Sequence, residues 1–158
     1  MEVGKKRPLL ITILGIFFAI DAIGIIITIL DGSYLKAPAE LLGFLVYGSG
    51  AAIIYLVIVA ILFILSYTFI KGGMRFGWML AIAYLIFGII NVIATIPSIP
   101  STAAAAATEA SKLNSQISYG LVGFTTSLLY FSVGAEVVIY LLVLYYLTRP
   151  KPRAWLGA

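Results

Sequence analysis

The sequence predicts an all-α fold: a bundle of four transmembrane helices, with both termini in the cytoplasm. Three observations carry that expectation. Of 158 residues, 63% are hydrophobic and 10% charged, whereas a soluble domain carries roughly 25% charged residues and must keep an outer face in water. Four apolar stretches are each long enough to cross a bilayer, which takes about 20 residues. The basic residues gather at every second connection between those stretches.

The first span runs from Pro8 to Leu30, behind Lys5, Lys6 and Arg7. The basic start resembles a signal peptide, but the apolar stretch is too long for that and contains Asp21. The second span is read from Leu41 to Ile70, longer than a crossing requires. The third, Phe76 to Ile96, stops at Pro97 and Pro100, which should break it cleanly. The fourth covers about Tyr119 to Leu147. Each is expected to be helical, because a lone segment in lipid must satisfy its own backbone hydrogen bonds.

The connections set the orientation. Eight of the ten basic residues lie on one side: Lys5, Lys6, Arg7, Lys71, Arg75, Arg149, Lys151 and Arg153. The other side holds Lys36 and Lys112, with Asp31, Glu40 and Glu109 beside them. The positive-inside rule then places both ends and the short middle loop in the cytoplasm of a multi-pass cell-membrane protein. Of the outer connections, Asp31 to Glu40 is short, with Gly32 and Pro38 as turn formers. The second, over 97–118, contains an alanine run behind Ser101 and Thr102. It reads equally as a short surface helix or as a low-complexity loop.

The chain also looks duplicated. "FFAIDAI" in span one matches "FGIINVI" in span three, pairing Phe17 with Phe87, Asp21 with Asn91 and Ile23 with Ile93. "LLGF" at 41–44 and "LVGF" at 121–124 open spans two and four. Basic residues followed by Trp78 and by Trp155 come after each of those spans. The expected unit is a two-helix hairpin used twice, with both indoles at the cytoplasmic interface. This layout, with the ending "YYLTRPKPRAWLG", resembles small uncharacterised four-span membrane proteins of bacteria and archaea. The resemblance implies the hairpin layout and transfers no functional residue.

Composition narrows the chemistry. Without cysteine or histidine there is no thiol catalysis, no thiolate or imidazole metal site and no ordinary haem ligand. No cofactor, no metal and no catalytic activity are expected. The net charge of +4 sits where membrane orientation explains it, so nucleic acid is not an expected partner. The expected partners are the bilayer and other membrane subunits, or further copies of the chain.

Asp21 and Glu136 are the ionisable acids inside the spans. Counted from Arg7 and Arg149, both lie roughly 20 Å from the basic boundary, and Asn91 and Tyr55 lie about 24 Å in. Each span thus brings one polar group to a similar level. Helical spacing groups Asp21 with Phe17, Gly24 and Thr28, Asn91 with Tyr84, Gly88 and Thr95, and Glu136 with Ser132 and Tyr140. Such faces should point away from lipid. The cluster of Asp21, Tyr55, Asn91 and Glu136 has three readings: a satisfied polar contact that fixes helix register, a proton or cation site, or a contact with a partner protein. Two functions follow. One is a non-catalytic accessory subunit of a larger membrane complex, an energy-transducing one among them. The other is a small oligomeric proton- or cation-coupled transporter or channel. Small multidrug transporters are similar in having four helices and an acid in the first. The strong charge bias here departs from their dual-topology members.

Overall fold

The structure is a computed structural model that describes residues 7–35, 39–104, 108 and 118–158. It is mostly helical. Helices α1 (Leu9–Leu30), α2 (Gly48–Lys71), α3 (Arg75–Thr95) and α4 (Ser118–Thr148) are followed by a short α5 (Pro150–Trp155). Four helices are long and apolar enough to span a membrane, α3 counted together with its extension to Ala104.

Local chemistry sets most of the helix ends. At the end of α1, Asp31 Oδ1 accepts the Ser33 amide at 2.8 Å, and Gly32 follows with φ +75°. Helix α2 stops at Gly72 and Gly73, both with positive φ, a conformation that costs glycine nothing. Helix α4 stops at Thr148 because Arg149 precedes a proline and is held extended, at φ −67° and ψ 149°.

Two segments differ from the expectation. Residues 41–47 do not belong to the second helix. Ala39–Leu41 pairs antiparallel with Phe44–Val46, in the register Ala39 to Val46 and Leu41 to Phe44. Leu42 and Gly43 make the two-residue turn at φ 52° and 80°, the signs of a type I′ hairpin. Apolar residues suit strand and helix alike, so hydropathy alone ran the span back to Leu41. The second correction is at Pro97 and Pro100, which do not end the third span. The chain passes through a 3₁₀ turn at Ile96–Ser98 and is helical again over 99–104. Hydroxyls take up carbonyls around the missing amides: Thr95 donates to Val92, Ser98 to Thr95 and Ser101 to Ser98, each at 2.7 Å. In the 97–118 connection the part beyond 104 lies outside the described residues, apart from Thr108 and Ser118.

Successive helices pack antiparallel, and packing in lipid relies on close fit rather than on apolar burial. Ile11, Gly15, Phe18 and Ala22 form the buried stripe of α1. A methyl group on Gly15 would meet Ile70, the Phe69 Cβ and the Ser66 carbonyl at 3.2–3.4 Å. Helices α2 and α3 close up at Thr68 and Gly77, where an added Cβ would lie 2.5 Å from the threonine side chain. Phe18 joins three helices, edge-on to Phe69 (5.4 Å) and to Tyr84 (6.2 Å). In α4 only Leu147 is buried among the described residues.

The core lies towards the basic end, around Ile11, Leu65, Phe69, Ala81, Leu147 and Leu156. The tail closes it. Trp155 accepts the Gly73 amide on its carbonyl at 2.7 Å and lays its indole in the space a Gly72 side chain would need. Leu156 beside it is fully buried. Four cations of this end sit over aromatic rings: Arg7 on Trp155, Lys71 on Tyr67, Arg149 on Tyr145 and Arg153 on Trp78. Trp78 donates its indole N–H to the Leu147 carbonyl at 3.1 Å, tying α3 to α4.

Of the stretches matched in sequence, 17–23 and 87–93 are both helical, but the second pair does not share a conformation. "LLGF" forms the β-hairpin turn, whereas "LVGF" lies inside α4. Their likeness in sequence is therefore not a likeness of local structure.

Candidate functional site

Asn91 is half-buried on the last two turns of α3. Its Oδ1 accepts the Leu42 amide at 2.6 Å. In a two-residue hairpin that amide has no partner within the ladder, and the Asn91 side chain supplies one. Gly43 rests on the same helix, and an added Cβ would lie 2.7 Å from the Ala94 carbonyl. The hairpin tip is thus docked on α3 by one hydrogen bond and one glycine contact. These offset the roughly 1–2 kcal/mol that a left-handed Leu42 costs.

Below the hairpin, between α3, its extension and α4, lies a cavity of about 290 Å³. Polar side chains interrupt its largely apolar wall: Glu40, Asn91, Thr95, Ser98, Ser132 and Glu136 stand among Val92, Ile99, Leu129 and Val133. Ser98 donates to Glu40 Oε1 at 3.2 Å and also to the Thr95 carbonyl. Neither lysine nor arginine lines this space. On the far side of Asn91, Val92 and Glu136 a second, apolar crevice of about 450 Å³ runs between α2, α3 and α4, past Ile58, Phe87 and Tyr140. Glu136 stands on the boundary and accepts a hydrogen bond from the Tyr140 hydroxyl at 2.8 Å. Tyr140 lies against Gly88 of α3, with its ring edge 2.9 Å from where a Cβ would be.

Asn91 and Glu136 are thus brought to one place. Asp21 joins them less directly. It is exposed on α1, and Tyr84 and Tyr140 lie within electrostatic reach of both Asp21 and Glu136. Tyr55 stands apart: it is half-buried, lines neither cavity and makes no hydrogen bond among the described residues. Glu40 and Ser98 were not among the expected site residues. The sequence places Glu40 in a connecting loop, and only the hairpin brings it to Ser98. The signal available was Gly43, two residues after an alternating Ala-Glu-Leu.

The arrangement offers carboxylate, hydroxyl and amide oxygens, which suit a proton or a hard monovalent cation. Among the described residues no three acidic side chains gather as a metal centre would require. Comparison of the chain with protein-family models, with curated proteins and with solved structures gives no match.

Proposed function

We propose that this chain is a non-catalytic multi-pass membrane component that works by assembling with other membrane chains, as an accessory subunit of a larger complex. The observation that carries the proposal is Asp21. It lies about 18 Å along α1 from Leu9, near the middle of a 22-residue apolar helix, and its own chain leaves it exposed. An ionisable group at that depth is costly unless something polar faces it. A partner helix carrying a donor supplies that, and the almost uncovered α4 offers further contact surface. The charge bias favours cytoplasmic termini, and the pairing of Asp21 with Asn91 favours descent from a duplicated hairpin.

Native purification in a mild detergent, with mass spectrometry of everything recovered, tests this reading. Stoichiometric partners that Asp21→Leu releases support it. A clean monomer with no companion protein counts against it.

A second reading rests on the polar cavity. Its polar side chains run from Glu40 to Glu136 with no lysine or arginine among the lining residues, which suits a proton or cation site at the hairpin end. In this reading the chain is a small oligomeric ion-coupled transporter or channel. Flux into liposomes should then fall at least about tenfold in Glu136→Gln and in Asp21→Asn, in line with the role of intramembrane acids in ion paths. Flux that neither substitution changes would sink it.

A further inference from the structure

At the basic end the last turns of α2 and the first turn of α3, in contact at Thr68 and Gly77, flank an open groove of about 510 Å³. That is within the range of small-molecule sites, about 300–1,000 Å³. Phe63, Ile64, Tyr67, Met74 and Phe76 make its wall, and Arg75 is its one charged lining residue. The apolar wall begins at the level of Lys71 and runs about 12 Å along α2 to Phe63. Cation and apolar wall are therefore arranged in sequence, charge at the helix ends and oil further in. An amphiphile has the same order.

The cations of this end are not equivalent. Arg7, Lys71, Arg149 and Arg153 each lie over an aromatic ring. Lys71 does not line the groove itself but donates to the hydroxyl of Tyr67, which does, at 2.9 Å, so its ammonium is held beside the groove with donors to spare. Arg75 is exposed, and among the described residues it has no hydrogen bond, ion pair or ring contact. The described acids Asp31 and Glu40 flank the other end of α1 and α2, and Asp21 and Glu136 lie deep in their helices. Among the described residues, then, no acidic side chain is placed to neutralise the charge at the groove. A guanidinium forks onto phosphate oxygens, and an ammonium adds a point charge beside it.

We propose that this groove seats one anionic phospholipid, its phosphate held by Arg75 and Lys71 and one acyl chain lying against Phe63, Ile64 and Phe76. The charge complementarity selects an anionic headgroup over a zwitterionic one. Basic clusters where helices meet the headgroup region are suited to this, each cation contributing a factor of roughly five in affinity. The proposal needs only that the four helices cross a bilayer. It is independent of whether the chain is a subunit or a transporter.

The test is native mass spectrometry of the full chain in a mild detergent, titrated with phosphatidylglycerol or with phosphatidylcholine of the same acyl chains. Phosphatidylglycerol should bind first and more tightly. The double variant Lys71→Gln/Arg75→Gln should weaken that first binding roughly thirtyfold, and Arg75→Lys should stay within about threefold of the parent. Lys151→Gln removes the same charge from the other described cation without a partner and should leave the first lipid in place. Equal binding of the two lipids overturns the proposal, as does an equal loss in Lys151→Gln, which would mean surface charge alone. Should the double variant unfold, Arg75→Gln carries the test with a loss of about fivefold, and no loss there overturns it as well.

Discussion

The two helix pairs solve the same packing problem in opposite ways. Between α1 and α2, Gly15 lies against the Ser66 carbonyl and the Phe69 β-carbon, which cannot swing aside, and against Ile70 Cγ1. Between α3 and α4, Gly88 lies against the edge of the Tyr140 ring, and that ring borders a crevice of about 450 Å³. The first pair is closed by rigid atoms, and Ile11 and Ala22 are fully buried beside it. The second is held by a tyrosine, an indole and a carboxylate, with space on both sides of Glu136. Glycine at a helix crossing thus has no fixed meaning. Whether it clamps or merely admits a neighbour depends on what that neighbour can do in response.

Substitutions can break this contrast. The largest effect should come from Gly15→Leu, which forces atoms into a contact with no give and should cost about 3 kcal/mol. The same change at Gly88 should cost about 1 kcal/mol, because the Tyr140 ring can turn into the crevice. Unfolding midpoints in mixed detergent and dodecyl sulfate measure both, and equal shifts would abolish the distinction. Asn91→Leu should come between them. It leaves the exposed Leu42 amide without its acceptor, a loss of about 1.5 kcal/mol. Faster hydrogen exchange at Leu42, with α1 and α2 amides unchanged, would place the loss at the hairpin. The smallest effect belongs to Tyr140→Phe. Interhelical and intrahelical polar contacts in lipid average about 0.6 kcal/mol, so the midpoint should hardly move. The infrared carboxyl band of Glu136 should shift nonetheless, since its hydrogen bond is gone.

The sequence makes the helices legible because lipid leaves the backbone little choice, and runs such as 9–30 and 48–70 carry few polar interruptions. It does not make the hairpin legible. Glu40 and Gly43 were the clues, but Leu41, Leu42, Phe44, Leu45 and Val46 are as apolar as the helix that follows. Pro97 and Pro100 misled for a different reason. The helix tightens there instead of ending: Ile96 and Ile99 donate their amides to the Ile93 and Ile96 carbonyls that the two prolines leave, a shift that a proline in the sequence does not announce. The polar level of the spans was readable by counting residues, and it brings Asn91 and Glu136 together. Counting gives height and not rotation, so it could not tell that Tyr55 faces elsewhere or that Asn91 is engaged by a backbone amide. Trp155 read as an interface anchor. Its carbonyl and ring are also fitted to Gly72 and Gly73, a match visible only once the tail folds back.

That tail contact also has a timetable. The amide of Gly73 and the carbonyl of Trp155 are joined across more than eighty residues of chain. At roughly 5–20 residues per second of synthesis, α1 and α2 wait on the order of ten seconds before the residues that seal their base exist. During that interval the Gly72–Gly73 turn stands open beside Arg7 and Lys71. A ribosome-bound chain halted shortly after α4 should therefore show a turn cut by protease between α2 and α3, and release of the tail should close it.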